Sequence, residues 1–180
     1  MQRQLRHLWL CALMVVCGGC GDEPGMTTPT TITGPWLLAS DWALVEPEKD
    51  PIPGRPTHAG ACEHGAFRLE TDVLELDTGV CPWITVAAPA QRPLAAGTTL
   101  TIALLHDNLI SNTSALSTFI IGTATTTLYE RTVPIPRPAQ FVEGAITLTE
   151  PVPEGALIYV HVRNHGANTY TLLEVAPAPP

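Results

Sequence analysis

The densest group of side chains that could bind a ligand lies near the carboxyl end of the chain, in residues 157–175 (LIYVHVRNHGANTYTLLEV). With the two-residue period of a β-strand, Tyr159, His161 and Arg163 share one face, and the apolar residues between them share the other. Asn164 and His165 follow in a turn. Stacking from tyrosine and hydrogen bonds from imidazole and guanidinium groups could hold a sugar. We therefore expect these five residues to form a ligand-binding surface, with a packed, hydrogen-bonded His161 as the structural alternative.

The same histidines raise the question of a metal site. His161 and His165 are separated by three residues, and His106 with Asp107 (LLHDN) ends another apolar run. Histidine is the commonest side-chain ligand of transition metals. Strand residues four apart, however, have Cβ atoms about 13 Å apart, so one ion could join them only if the turn folds back sharply. The HxH pair of cupin-type centres is also missing. We predict no metal and no cofactor.

Catalytic motifs give a similarly negative result. Glu75 and Asp77 (DVLELDTG) share a strand face and could act as paired carboxylates or bind Ca²⁺. A solvated face that ends in a turn at residues 77–79 explains them equally well and is the preferred interpretation. The sequence contains no GxSxG, P-loop or GxGxxG motif. We predict no catalytic residues.

Short β-strands must position these side chains, because apolar and β-branched runs are repeatedly broken by Pro, Gly, Asn or Asp. About eight or nine such runs, roughly ten residues apart, predict an all-β fold, an antiparallel β-sandwich or jelly roll over residues 35–176. Prolines 134, 136 and 138 are assigned to a long crossover. The predicted strands are 67–69, 72–77, 83–88, 98–105, 115–121, 125–133, 145–149, 157–163 and 169–175, with 36–44 as an extra strand or edge segment.

In layout alone, these strands resemble the β-sandwiches of galactose-binding and carbohydrate-binding modules. The resemblance covers about residues 35–176 and rests on no diagnostic motif. Folds of this kind host many functions, so it transfers no binding or catalytic residues.

Residues 1–19 have the features of a cleaved export signal. Arg3 and Arg6 give a basic start, and the apolar run from Leu8 to Cys17 is about half the length needed to cross a bilayer. The small residues Gly18 and Gly19 then precede Cys20, which resembles the lipobox of bacterial lipoproteins, although Cys17 stands where that family usually has Leu.

The resemblance implies that Cys20 carries fatty acids, palmitate among them, and anchors an exported protein to a membrane of the cell envelope. Gly21, rather than Asp, follows the cysteine, which in the Gram-negative sorting pattern implies the outer membrane rather than the inner one. An ordinary signal peptide cut near Gly19 or Gly21 is the alternative.

Cysteine counting supports the lipobox. Removal of residues 1–19 leaves Cys20, Cys62 and Cys81, an odd number in an oxidising compartment. Acylation of Cys20 leaves one pair, which we expect to form a disulfide. Trp83 follows Cys81 closely and is expected to pack over that bridge in the core. Two isolated cysteines lack the CxxC spacing of a zinc site.

The charge composition argues against two classes of binding partner, nucleic acid and anionic lipid. The formal net charge is −8, and it becomes more negative when Arg3 and Arg6 leave with the signal. No basic run exists that could bind nucleic acid or anionic lipid. We predict four segments: signal peptide 1–19, acylated Cys20 with a flexible tether to 34, a domain at 35–176, and a Pro-rich tail at 177–180.

Three functions fit these features. The first is a non-enzymatic binding or interaction module on the cell envelope, with a glycan or an envelope protein as its partner. The second is a structural or assembly lipoprotein that offers a sheet edge for β-augmentation. The third, least favoured, is a carboxylate-based hydrolase.

Overall fold

The computed structural model describes residues 34–57, 59–63, 65–71 and 73–179 of the 180-residue chain. The predicted signal peptide, Cys20, the predicted tether up to residue 33 and Asp72 lie outside the described residues. Among the described residues, no helix has the length and apolar character needed to cross a membrane.

The described chain forms ten β-strands, and the only helical segments within it are two short 3₁₀ turns at Ala39–Asp41 and Pro47–Lys49. The all-β prediction is confirmed. The strands are β1 (Ala43–Leu44), β2 (Phe67–Glu70), β3 (Val73–Asp77), β4 (Trp83–Pro89), β5 (Thr99–His106), β6 (Ala115–Gly122), β7 (Thr127–Ile135), β8 (Gln140–Thr147), β9 (Leu157–Arg163) and β10 (Thr169–Pro177).

The strands pair into two five-stranded antiparallel sheets. Sheet A has the order β1-β4-β9-β6-β7, and sheet B has the order β2-β3-β10-β5-β8. Alternate residues of each strand face the other sheet and close a shared apolar core, as in an antiparallel β-sandwich. In β5, for example, Leu100, Ile102 and Leu104 point inward, and in β9 the inward residues are Ile158, Val160 and Val162. Burial of each such side chain contributes about 1.5–3 kcal/mol.

The start of strand β8 and the connection before it differ from the prediction. Strand β8 begins at Gln140, five residues before the predicted 145. The predicted strand started only after Gly144, but this glycine lies inside β8. A Cβ atom at Gly144 would lie 3.0 Å from Cε2 of Tyr129, so glycine permits close packing between the sheets. The predicted long crossover is wrong: Pro134 lies in edge strand β7, and only residues 136–139 connect β7 to β8. An edge strand tolerates proline because one side of it needs no ladder donors.

The predicted disulfide between Cys62 and Cys81 is confirmed. Both sulfur atoms lie 3.2 Å from the carbonyl oxygen of Trp83. The indole of Trp83 is nevertheless not in the main core, contrary to expectation: it belongs to a separate apolar cluster with Ile52 and Ile120. That cluster lies on the face of sheet A turned away from sheet B, which we call the outer face.

Candidate functional site

The predicted ligand-binding residues of β9 point to the outer face of sheet A. Their inward neighbours belong to the main core, so Tyr159, His161 and Arg163 alternate away from it. Arg163 pairs with Trp83 of β4 on one side and with Thr118 of β6 on the other. These three residues therefore form one outward row across three strands.

A segment that leads from β1 to the disulfide covers the neighbouring row of the outer face. We call residues 45–60 the strap; His58 within it is not described. Ile52 of the strap packs with Trp83 and Ile120, and Ala59 packs against the same cluster. As a result, His161 is 0% exposed. Tyr159 is buried as well, although no strap residue is among those that line the cleft beside it. The expectation that Tyr159, His161 and Arg163 form one accessible surface is wrong, because the strap lies over the middle of it.

Asp50 fastens the strap to the sheet. Its side chain is 1% exposed. One carboxylate oxygen, Oδ1, accepts the backbone N–H of Ile52 at 3.0 Å. The other, Oδ2, accepts three side-chain donors: Nε1 of Trp83 at 2.9 Å, Oγ1 of Thr85 at 2.8 Å and Nη1 of Arg55 at 3.1 Å. Each of these is a charge-assisted hydrogen bond, and such bonds are stronger than neutral ones.

His161 extends this network one step further. The hydroxyl of Thr85 donates its only hydrogen to Asp50, so it must accept from Nδ1–H of His161, at 2.9 Å. Nε2 is then the unprotonated nitrogen, and it is buried without a hydrogen-bond partner among the described residues. Burial lowers the pKa of His161 to about 4; Asp50 opposes this effect and Arg163 adds to it. The imidazole is therefore neutral at neutral pH and fixed under the strap.

Beyond the end of the strap, the outer face opens into a cleft of about 460 Å³. We call it the strap-end cleft. Its walls combine apolar and polar groups: Pro56, Pro82 and Leu116 on the apolar side, and Thr118, Arg163 and His165 on the polar side. Leu116 is 60% exposed, and the side chains of Arg163 and His165 are accessible. The sequence did not indicate the apolar wall, because two of its members come from the strap and from the Cys81–Trp83 connection.

Asn164 lines the same cleft but has a structural bond. Its Nδ2 donates to Oγ1 of Thr78 at 2.8 Å, and Thr78 in turn donates to the carbonyl oxygen of Asn168 at 2.8 Å. Oδ1 of Asn168 accepts the backbone N–H of Ile110, also at 2.8 Å. The Asn-rich turn is therefore tied to the turn after β3 and to the loop after β5, which holds His165 in place at the rim.

Tyr159 belongs to a different cleft. This second cleft, of about 370 Å³, lies towards the other end of β9, where the loops at 123–126 and 149–153 approach each other. The structure thus divides the five predicted residues into three environments. Arg163, Asn164 and His165 share the strap-end cleft, His161 is buried, and Tyr159 lines the second cleft.

The remaining candidate residues have structural partners. His106 lies in sheet B, is fully buried, and places Nδ1 2.9 Å from the carbonyl oxygen of Asp107. It therefore does not share a site with His161. In the part of the chain that the structure describes, no group of three His, Cys, Asp or Glu side chains could hold a metal ion.

The carboxylates of β3 form a surface ion-pair group. Nη2 of Arg68 lies 2.9 Å from Oε1 of Glu75 and 3.9 Å from Oδ2 of Asp77. Exposed pairs of this kind contribute about 0–1 kcal/mol each. Both carboxylates are thus engaged by one guanidinium on a partly solvated strand face.

No family model matches the chain, and no curated protein matches it either. Several solved structures are similar to it at low sequence identity. The N-terminal cellulose-binding domain of β-1,4-glucanase C from Cellulomonas fimi is 14% identical, with 65% of this chain and 84% of that chain covered and a TM-score of 0.42. The K3 adhesin domain of Lys-gingipain from Porphyromonas gingivalis is 11% identical, with 79% and 93% covered and a TM-score of 0.43.

A third similar structure is the C-terminal family 22 carbohydrate-binding module of Xyn10B from Clostridium thermocellum. It is 16% identical, with 79% of this chain and 93% of that chain covered and a TM-score of 0.39. At these values the likeness is one of β-sandwich layout alone.

Proposed function

We propose that this protein is a non-enzymatic binding module that recognises a glycan in the strap-end cleft and is displayed on the cell envelope by a lipid on Cys20. The observation that carries the proposal is the composition of the cleft. Accessible guanidinium and imidazole groups face an apolar wall across an open volume of about 460 Å³.

A saccharide needs both kinds of surface. Its C–H faces pack against apolar groups, and its hydroxyls require hydrogen-bond donors and acceptors in fixed positions. Pro56, Pro82 and Leu116 supply the apolar contact, and Arg163 with His165 supplies the polar contact. Two of the apolar residues are prolines, which lose little conformational freedom when a ligand binds.

The site is also held rigidly before any ligand arrives. Asp50 fixes the strap, the disulfide fixes its far end, and the Asn164–Thr78 bond fixes the turn. A preorganised cleft avoids much of the ordering cost of binding. This rigidity supports recognition of a defined ligand.

The lipid anchor is supported by the cysteine pattern. With Cys62 and Cys81 joined, Cys20 is the one cysteine left after removal of residues 1–19. Gly21 after it favours the outer membrane. Labelling cells with radioactive palmitate tests the anchor: the label should enter the full chain and be lost in Cys20→Ala. Equal labelling of both chains would refute it.

Glycan-array binding of the full chain tests the site. We expect binding that is lost in Arg163→Ala and retained in Arg68→Ala, which removes an exposed arginine from the opposite sheet. Tyr159→Phe should leave binding unchanged, because Tyr159 lies in the second cleft. Binding that depends on Tyr159 and not on Arg163 would place the glycan in the second cleft and overturn its assignment to the strap-end cleft.

A second candidate function, assembly with an envelope protein, is favoured by strand β8. Among the described residues, β8 is an edge of sheet B, and Phe141 on it is 50% exposed. An edge strand with an exposed aromatic side chain can add a partner strand. Under this hypothesis Phe141→Lys would abolish cross-linking to envelope proteins in cells, and Arg163→Ala would not.

A further inference from the structure

The described residues of the strap-end cleft leave a positive charge unpaired. The chain has a formal net charge of −8, yet the basic residues among the described lining of the cleft are Arg163 and His165, and none of these described lining residues is Asp or Glu. In the part of the chain that the structure describes, Arg55 and Arg68 each form ion pairs, whereas Arg163 forms none.

The buried carboxylate of Asp50 does not fill this role. Asp50 belongs to the strap, and both of its oxygens already accept hydrogen bonds. Its charge is balanced by Arg55 at 3.1 Å. Arg163, in the middle of the Trp83–Thr118 row, is therefore an exposed cation whose donors are available to a ligand.

An accessible guanidinium that has no ion-pair partner among the described residues suits one class of ligand group. Its planar fork of N–H donors matches the oxygens of a carboxylate or a sulfate, which it can bind through two parallel hydrogen bonds. A neutral sugar hydroxyl offers no such match. His165 at the rim adds a further donor on the same side of the cleft.

We propose, building on the glycan-binding function above, that the strap-end cleft selects acidic saccharides, those bearing a carboxylate or sulfate group, with Arg163 binding that group and the apolar wall of Pro56, Pro82 and Leu116 packing against the sugar ring. The strongly negative chain disfavours a long polyanion near its surface. The ligand is accordingly a short or terminal acidic sugar rather than a highly charged polymer.

The experiment starts from an array that carries acidic and neutral glycans, with the full chain as the probe. We expect the strongest hits to be acidic. Calorimetry then compares the affinity of the best acidic hit with that of its carboxyl-reduced or desulfated counterpart, which keeps the same sugar skeleton. Reduction tests a carboxylate as the group that is bound, and desulfation tests a sulfate. Loss of a charge-assisted contact should weaken binding about tenfold or more.

Variants separate the charge from the shape of the cleft. Arg163→Gln should bind the acidic ligand and its neutral counterpart equally. Arg163→Lys should keep part of the preference for the acidic ligand, because lysine retains the positive charge but not the planar fork of donors. Arg68→Gln is the matched control and should behave as the wild type. The preference should also decrease between low and high salt.

The outcomes distinguish this inference from the function on which it rests. If neutral glycans bind as tightly as acidic ones and Arg163→Gln weakens both, glycan binding stands and the selection for acidic sugars is overturned. If no glycan binds the full chain, both proposals fail. If an acidic preference persists in Arg163→Gln, the binding group has been assigned to the wrong residue and the inference is wrong.

Discussion

Replacing Asp50 by alanine should release the strap from the outer face of sheet A. The carboxylate accepts hydrogen bonds from Trp83, Thr85, Arg55 and the backbone of Ile52. Without it, the buried Trp83 N–H loses its acceptor, and the largely buried Arg55 guanidinium loses its ion-pair partner while it keeps its bonds to the carbonyl oxygens of Ala59 and Gly60. An unpaired buried donor costs about 1–3 kcal/mol, and breaking a buried ion pair costs about 3–5 kcal/mol.

The opening should be local rather than global. The strap is held at one end by the pairing of Ala43 and Leu44 with β4 and at the other by the disulfide at Cys62. Between these points, Asp50 and the Ile52 cluster are the main contacts with the sheet. A loss of about 3 kcal/mol would therefore raise the population of the open strap roughly 100-fold.

A lysine-specific protease measures this opening directly. Lys49 is the single lysine of the chain and lies in the strap beside Asp50. When opening is fast relative to cleavage, the cleavage rate follows the population of the open form. We expect Asp50→Ala to be cut about 100-fold faster than the wild type, and the exposed neighbour Glu48→Ala to change the rate little.

Because Asp50 directly follows the cleaved bond, each rate is divided by the rate for the same chain in urea, where the strap is open in every variant. Trp83→Phe removes one donor at a distance from the cleaved bond and should give a smaller acceleration. If the corrected rate of Asp50→Ala lies within about threefold of the wild type, which corresponds to less than 1 kcal/mol, Asp50 does not hold the strap.

Further predictions concern the stability of the domain. The folded pKa of His161, about 4, lies below its unfolded value of 6.5. As the pH falls, the unfolded chain therefore binds this proton first. The contribution of His161 to stability should be complete above about pH 6.5 and fall by about 2–3 kcal/mol towards pH 4.5; urea unfolding should find a smaller pH dependence in His161→Gln. Reduction of the Cys62–Cys81 bridge should cost about 3 kcal/mol in urea unfolding with and without reductant. Gly166 has a φ of 103°, and a Cβ there would lie 2.7 Å from the Ile110 carbonyl oxygen. Gly166→Ala should therefore lower stability by about 1–3 kcal/mol, and an unchanged Tm would contradict this.

Much of the sandwich could be predicted from local pattern. The alternation in residues 157–163 correctly separates Ile158, Val160 and Val162 from Tyr159, His161 and Arg163, because a strand must present alternate residues to opposite faces. The start of β8 was predicted five residues too late, because Gly144 interrupts the local pattern and the reason for this glycine is a contact with Tyr129 in the other sheet. Such a contact leaves no mark in the local sequence.

The binding site could be predicted less well, because its shape depends on the strap. Residues 45–60 contain several prolines and show no strand periodicity, so the sequence indicates only a loop. The bonds from Asp50 to Trp83 and Thr85 span 33 and 35 positions in the chain. These long-range bonds, together with the packing of Ile52 against Trp83 and Ile120, cover His161 and leave Arg163 accessible.

The position of the cleft follows from where the strap ends. The strap turns away towards Cys62, and the disulfide holds that turn beside the backbone of Trp83, with both sulfur atoms 3.2 Å from its carbonyl oxygen. The covered row contains His161, whose charge would be costly under an apolar cover, and burial keeps it neutral. The next row contains Arg163, which cannot lose its charge and so could not be covered at the same cost. The boundary between strap and cleft therefore coincides with the change from a side chain that can be neutral to one that cannot.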